Sequence, residues 1–132
     1  MYTVQELVEK FGESLGLKLI AGKAGMKRQI KVPEVNRPGL SLAGYLKNYV
    51  SKRLLIFGNV ECSYLKDLSR KTRIERLQGI FTSQTPAVIV AGRYKPVKEL
   101  IDFCEKEGIP LFNSDMATMN LLSKMTLILN EE

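Results

Sequence analysis

The sequence predicts an α/β fold, with a small, mostly parallel sheet flanked by helices. Three short apolar runs, around Leu54, Val88 and Leu111, have the composition of strands that are buried on both faces. A helical pattern of about three turns separates the last two runs. This strand–helix–strand spacing is typical of a right-handed βαβ unit with parallel strands.

The first helix is predicted from a capping box and a regular apolar spacing. Thr3 and Glu6 stand three residues apart, and the apolar residues of 4–11 recur every three or four positions. This helix is expected to end at Gly12 or Gly16. The next predicted elements are a strand, a tight loop and a second strand, over residues 17–21, 22–25 and 29–35.

The segment 36–44 reads as a rigid reversal of the backbone. Pro38 has a fixed φ, and Gly39 can adopt a positive φ, so residues 37–40 are predicted to form a type II turn. The turn has two interpretations. It either only connects two elements or also holds Arg37 as a ligand for an anion.

The remaining elements follow from apolar periodicity and from capping residues. A short helix is expected over 42–50, and Pro96 is expected at the first position of the helix that Gly108 ends. The other predicted helix starts are Asn59, Ser69 and either Asn113 or Ser114. The last helix reaches residues 130–132 without a capping residue, which suggests that the chain continues beyond them.

The helix that starts at Ser69 carries several basic side chains. These are Arg70, Lys71, Arg73 and Arg76. They are interpreted as a solvated helix face.

The composition indicates one cytoplasmic domain over residues 1–132 and excludes several kinds of site. The chain has no histidine, so the usual general base and the commonest metal ligand are absent, and neither catalytic nor metal-binding residues are predicted. Cys62 and Cys104 lack metal-ligand or redox spacing and are expected to be buried apolar residues. No apolar run is long enough to span a membrane.

The charge is uneven along the chain. The net charge is +6, and residues 17–53 contain nine Lys or Arg residues but only one acidic residue, Glu34. A positive surface of this kind favours an anionic partner such as a phosphorylated metabolite or a nucleotide. The candidate anion-binding residues are Lys23, Lys27, Arg28 and Arg37. Nucleic acid is disfavoured, because aromatic residues do not alternate with the basic ones.

A phosphate-binding loop is excluded at residues 16–24. Five residues separate Gly16 from Gly22, where the Walker pattern requires four, and Ala24 cannot coordinate magnesium. The carboxyl ends of the predicted parallel strands are the other place where a ligand is expected, at residues 58–59, 92–93 and 113–114. These residues are interpreted either as ligand-binding loops or as ordinary connections.

Several features in one order resemble the N-terminal domain of bacterial HPr kinase/phosphorylase. They extend over nearly the whole chain: the opening helix, residues 28–30, the Arg-Pro-Gly-Leu turn at 37–40 with Leu42, Ala43 and Gly44, then Arg53, Gly58, Glu61, Leu65, the strand after Pro86, and Ile109-Pro110. The resemblance implies a fold similar to that of the first domain of the Mur ligases.

The resemblance also implies a function for the parent enzyme. Enzymes of this family use ATP and magnesium to phosphorylate a serine of HPr, the phosphocarrier of the sugar phosphotransferase system. They also remove that phosphate, assemble as hexamers, and regulate carbon catabolite repression. This chemistry belongs to a C-terminal kinase domain with a Walker loop, so ATP and magnesium are not expected to bind to the present residues.

Three hypotheses follow for the role of the chain. The first is a non-catalytic N-terminal domain that acts with its own kinase domain and with HPr in a homo-oligomeric enzyme. The second is a free-standing regulatory domain that binds a phosphorylated metabolite or nucleotide through its basic face. The third is an interaction module, which would show a contiguous exposed apolar patch.

Overall fold

The computed structural model of the chain describes residues 2–47 and 49–131. Its strands are β1 Lys18–Ala21, β2 Val35–Asn36, β3 Leu54–Phe57, β4 Val88–Val90 and β5 Leu111–Asn113. They form one sheet in the order β1-β5-β4-β3-β2. Strands β2 to β5 are parallel to one another, and β1 pairs antiparallel with β5. The predicted α/β fold with a mostly parallel sheet is confirmed.

In the described part of the chain, six helices and one short 3-10 turn surround the sheet. The helices are α1 Val4–Phe11, α2 Gly39–Leu42, α3 Asn59–Asp67, α4 Arg70–Ile80, α5 Lys98–Glu107 and α6 Thr118–Asn130, and the 3-10 turn is Lys23–Gly25. No helix among the described residues is long and apolar enough to cross a membrane.

The helices cover both faces of the sheet and give three layers. From β2 to β5, each strand lies on the same side of the strand that precedes it in the chain. Right-handed connections therefore place α3, α4 and α5 on one face of the sheet. There Leu65, Leu77 and Leu100 pack against one side of β3, β4 and β5. Helices α1 and α6 cover the opposite face, where Leu7 and Leu121 belong to the second cluster.

The central strands were predictable because every residue in them is buried. Along β3, Leu55 and Phe57 face one cluster, whereas Leu54 and Ile56 face the other. A strand with apolar neighbours on both faces needs a continuous apolar run, and this is what the sequence shows at β3 and β4.

The predicted opening helix is confirmed together with its cap. The Thr3 hydroxyl accepts from the Glu6 N–H at 3.1 Å, and the Glu6 carboxylate accepts from the Thr3 N–H at 2.9 Å. Gly12 follows as the C-terminal cap. Gly108 likewise ends α5 in the left-handed conformation, with φ +65°.

The predicted type II turn at 37–40 is wrong. Gly39 does not have a positive φ but is the first residue of the short helix α2, and Pro38 precedes it with φ −87° and ψ +33°. The helix predicted over 42–50 is also wrong, because α2 ends at Leu42 and no helix follows it in the described part of this range. Asn48 lies outside the described residues. Gly44 has φ +102°, a conformation that ends a right-handed helix soon after Leu42.

The predicted strand over 29–35 is much shorter than expected. Gln29 forms only an isolated bridge with Thr3, and the strand β2 begins at Val35. Pro33 lies between Gln29 and Val35, and a proline has no backbone N–H to donate to a neighbouring strand.

Three predicted helix starts are displaced. Helix α3 has Gly58 rather than Asn59 as its N-cap, and α5 starts two residues after Pro96, with Val97 as its cap. Helix α6 begins at Thr118, because Ser114 has a different role. The Ser114 hydroxyl donates to the Leu15 carbonyl at 2.6 Å and fixes the loop before the helix. Glu132, at the predicted end of this helix, lies outside the described residues.

The interpretation of Arg73 as a solvated residue is wrong. Its guanidinium donates to the Glu99 carboxylate at 2.8 Å and to the carbonyls of Leu65, Lys66 and Leu68. Arg73 therefore ties the end of α3 to α4 and α5. Ser69 is confirmed as the cap of α4, since its hydroxyl accepts from the Thr72 N–H.

Candidate functional site

The carboxyl ends of the parallel strands lie along one edge of the sheet. At this edge β2 ends at Asn36, β3 at Phe57 and β4 at Val90. The segments that follow these ends are where ligands of parallel α/β sheets usually bind. Arg37 and Gly58 are the first residues after two of these strands.

Arg37 and Glu61 form an ion pair at this edge. Arg37 Nη2 lies 2.9 Å from Glu61 Oε1, and the same carboxylate oxygen accepts from the Gly58 N–H at 2.9 Å. The Glu61 side chain is only 2% exposed, whereas that of Arg37 is 30% exposed. The pair joins the start of α3 to the segment after β2. The acidic residue also lies in the first turn of its helix, where the helix dipole favours a negative charge.

Two glycines allow close packing beside this ion pair. A Cβ on Gly58 would lie 2.7 Å from Arg37 Nη2 and 2.9 Å from Thr118 Oγ1, and a Cβ on Gly92 would lie 2.8 Å from the ring of Tyr94. Only glycine fits at these positions without a shift of its neighbours. The loops after β3 and β4 are therefore packed against the first residue of α6, and side chains occupy much of this edge.

An open cavity lies next to the ion pair, between the residues around α2 and the segment that leads into β3. Its volume is about 320 Å³, and it is lined by Asn36, Arg37, Leu40, Ser41, Tyr45, Lys47, Tyr49 and Arg53. We call it the Arg37–Arg53 cavity. Its described lining contains three basic side chains and no carboxylate. The lining extends from Arg37, at the carboxyl end of β2, to Arg53, at the amino end of β3, and its charge suits an anion.

Both arginines of the cavity have incompletely used guanidinium groups. Arg37 Nε and Arg53 Nε are buried without a hydrogen-bond partner among the described residues. Arg53 Nη2 donates to Glu34 at 3.1 Å, and the side chain of Glu34 is 53% exposed. Two arginines that line the cavity thus each have a donor that no described residue satisfies.

Tyr49 has a structural role in the wall of the cavity. Its hydroxyl donates to the Ile80 carbonyl at 2.8 Å, at the end of α4. Burial raises the pKa of Tyr49 to about 12, so the phenol stays neutral near pH 7. The hydroxyl fixes the ring against α4.

Arg28, one of the predicted anion ligands, is a structural residue. Its guanidinium donates to four backbone carbonyls, those of Ser83 and Thr85 at 2.9 Å, Gly108 at 2.9 Å and Glu107 at 3.2 Å. These contacts use four of the five N–H groups of an arginine. Arg28 therefore holds together the loops that precede β4 and β5.

The structure does not bring the four predicted anion ligands together. Arg28 binds the loops at the amino ends of β4 and β5, whereas Arg37 follows the carboxyl end of β2. Lys23 and Lys27 are exposed; Lys23 is the first residue of the 3-10 turn, and Lys27 follows the turn, next to Arg28. Arg37 is the only one of the four that lines the Arg37–Arg53 cavity.

Sequence reasoning did not assign the other charged residues of the ion pair and the cavity to a site. Lys47 was counted only as part of a basic segment, Arg53 as part of that segment and of the family resemblance, and Glu61 only as a feature of the resemblance. The three-residue spacing of Gly58 and Glu61 could have indicated a capping contact, since a glutamate three residues after a helix N-cap can accept from the N–H of the cap. The partner of Glu61 lies 24 residues earlier, so only the folded chain reveals the pair.

The described residues provide no metal site and no reactive thiol. No cluster of three or more Cys, Asp or Glu side chains in the described part of the chain is arranged to hold a metal ion. Cys62 and Cys104 are free and buried, as predicted. Burial raises the pKa of Cys62 to about 11 and that of Cys104 to about 12, so both thiols are protonated at neutral pH.

The family model described as HPr Serine kinase N terminus matches residues 2–129. The chain belongs to this family. The match includes every residue of the Arg37–Glu61 pair and of the Arg37–Arg53 cavity. Within the HPr serine kinase N-terminal family, this chain therefore presents a folded α/β domain with a basic cavity between Arg37, after β2, and Arg53, before β3.

Proposed function

We propose that the chain is the non-catalytic N-terminal domain of a bifunctional HPr serine kinase/phosphorylase. In this role it contributes to the control of carbon catabolite repression. Such enzymes phosphorylate HPr on serine with ATP and also remove the phosphate. The observation that carries the proposal is the family match over residues 2–129.

The chemistry of the chain supports an accessory role. The sequence has no histidine, and its nearest approach to a Walker loop, at residues 16–24, has the wrong spacing. Phosphoryl transfer requires groups that cradle the phosphates and hold magnesium. In this proposal a separate kinase domain supplies ATP binding, magnesium and the transfer step, and it contacts HPr. The hexameric assembly and the cytoplasmic location of such enzymes belong to the same proposal.

The test is direct association with a catalytic partner. We would mix the purified chain with an isolated HPr kinase/phosphorylase catalytic domain and measure sedimentation by analytical ultracentrifugation. The proposal predicts a heavier species that contains both polypeptides, and the catalytic domain alone serves as the reference. Independent sedimentation of the two at every concentration would contradict it.

A second candidate function is a free-standing domain that binds a phosphorylated metabolite or nucleotide. The observation that favours it is the basic stretch 17–53, with nine cationic residues and one acidic residue. A panel of sugar phosphates and uridine nucleotides in a thermal-shift assay tests it. A ligand at about one hundred times its Kd should stabilise the fold by about 2.7 kcal/mol. A panel without any shift would contradict this candidate.

A further inference from the structure

We propose that the Arg37–Arg53 cavity binds the phosphate group of a small phosphate monoester. The proposal rests on the second candidate function, ligand binding, and is independent of any action on a kinase domain. It assigns the ligand to Arg37, Lys47 and Arg53 instead of Lys23, Lys27 and Arg28.

The lining of the cavity has an excess of positive charge. Arg37, Lys47 and Arg53 line the cavity, and its described lining includes no carboxylate. The two carboxylates that pair with the arginines, Glu34 and Glu61, lie outside this lining. The Arg53–Glu34 contact is a partly exposed pair, and such pairs stabilise a fold by only about 0–1 kcal/mol. Arg53 can therefore bind a ligand at little cost.

The two arginines of the cavity also have N–H donors without an acceptor. Each arginine makes one side-chain hydrogen bond to the described residues, through Nη2, and each has a buried Nε without a partner. A buried donor without an acceptor costs about 1–3 kcal/mol. Both donors belong to residues that line the cavity, and a ligand that draws the two guanidinium groups toward it can supply the missing acceptor. Phosphate oxygens suit this role, because guanidinium groups bind them with parallel hydrogen bonds.

The size and the lining of the Arg37–Arg53 cavity suit a small ligand. A cavity of about 320 Å³ lies at the small end of the range for ligand pockets. Asn36 and Ser41 add neutral hydrogen-bonding groups, and the exposed ring of Tyr45 adds an apolar surface. These groups suit the hydroxyl-bearing remainder of a phosphorylated sugar or of a nucleoside monophosphate.

Other basic positions lack this combination. Four donors of Arg28 are already used by backbone carbonyls. The open groove beside it includes the carboxylates of Glu105 and Glu107, which repel a phosphate. The charge and the free donors coincide at the Arg37–Arg53 cavity.

Isothermal titration calorimetry of the full chain in a phosphate-free buffer tests the proposal. The probes are inorganic phosphate, glucose 6-phosphate and uridine monophosphate, with uncharged glucose as the control. We expect saturable one-site binding of at least one phosphate monoester, no binding of glucose, and weaker binding at high salt. The relative affinities of the sugar and nucleotide esters show which remainder the cavity prefers.

Substitutions identify the site. We expect Lys47→Gln and Arg53→Gln each to weaken binding by about tenfold or more, because each removes a charge-assisted contact. Lys47 is exposed, so its substitution should leave the fold intact. The matched controls Lys124→Gln and Arg70→Gln remove exposed charges elsewhere and should bind like the unmodified chain.

The outcomes separate the proposal from its rivals. Loss of binding in Lys23→Gln or Lys27→Gln, with Lys47→Gln unaffected, would overturn it in favour of the residues predicted from sequence. An absence of binding by every phosphate probe would also overturn it. Neither result affects the proposed association with a kinase domain, which the sedimentation experiment measures separately.

Discussion

At the scale of single residues, the Arg37–Glu61 pair is the main electrostatic feature of the carboxyl edge. Glu61 is 2% exposed and uses one oxygen for both the Arg37 guanidinium and the Gly58 N–H. A carboxylate in this position depends on its partner, because a buried charge without compensation is costly.

Removal of either partner should have unequal effects. We expect Arg37→Ala to lower the free energy of unfolding by about 3 kcal/mol, since it leaves a buried charge. Glu61→Gln should cost about 1 kcal/mol, because its amide oxygen still accepts from Gly58 and the partly exposed Arg37 can be hydrated. Urea denaturation of both variants and of the double variant measures this difference. A milder effect for Arg37→Ala than for Glu61→Gln would show that Glu61 does not depend on Arg37.

The two cysteines allow a second prediction at this scale. Burial raises the pKa of Cys62 to about 11 and that of Cys104 to about 12, so native thiolate is scarce near pH 7. We expect a thiol reagent to label the native chain very slowly and to label both thiols rapidly in denaturant. Labelling followed by mass spectrometry measures this. Rapid labelling of either cysteine under native conditions would contradict its buried position.

The residue scale also shows the limits of sequence reasoning about the site. Arg37 was predicted as a candidate ligand because it follows a strand in a rigid segment. Arg28 looked equivalent in sequence but binds four backbone carbonyls. Nothing in the local pattern distinguishes the two arginines, since their partners lie tens of residues away.

At the scale of elements, the buried strands and the first helix were predictable from sequence. Continuous apolar runs identify β3 and β4, and the capping box identifies α1. The segment after α2 was not predictable, because its conformation depends on the positive φ of Gly44 and on the tertiary contact of Tyr49 with Ile80. Helix α6 was misplaced at its start, because Ser114 binds the distant Leu15 carbonyl.

A pair of glycine substitutions tests how closely these elements pack. A Cβ on Gly25 would lie 1.9 Å from the Gly108 carbonyl oxygen, whereas a Cβ on Gly79 would meet nothing within 4 Å. We expect Gly25→Ala to destabilise the fold by about 2 kcal/mol or more, since overpacking forces the backbone to move. Gly79→Ala, in α4, should stabilise it by about 0.5–1 kcal/mol.

Thermal denaturation of the two variants compares them under identical conditions. The melting temperature should fall for Gly25→Ala and rise for Gly79→Ala. Equal shifts in the two variants would contradict the close approach of the 3-10 turn to the end of α5.

At the scale of the whole molecule, Arg28 joins parts of the chain that are far apart in sequence. It connects the segment after the 3-10 turn to the loops before β4 and β5, at the end of the sheet opposite the Arg37–Glu61 pair. These contacts link the loop between α4 and β4 to the turn between α5 and β5.

Replacement of Arg28 tests this role. We expect Arg28→Lys to cost about 2–3 kcal/mol, because an ammonium group cannot reach four carbonyls with the fixed geometry of a guanidinium. Phosphate binding in the Arg37–Arg53 cavity should be unchanged in the folded variant, because Arg28 does not line that cavity. Differential scanning calorimetry measures the stability of the variant, and isothermal titration calorimetry of the folded variant measures phosphate binding. Wild-type stability together with lost phosphate binding would show that Arg28 is a ligand rather than a structural residue.

The proposed role of this domain is to act on an HPr kinase/phosphorylase catalytic domain. The most direct measurement is the amount of serine-phosphorylated HPr formed, and then removed, in reactions with ATP and magnesium. The reactions contain the chain alone, an HPr kinase/phosphorylase catalytic domain alone, or both. The account predicts no phosphoserine with the chain alone, and a changed ratio of kinase to phosphorylase activity when both are present. Phosphoserine formed by the chain alone, or an unchanged ratio in the mixture, would contradict it.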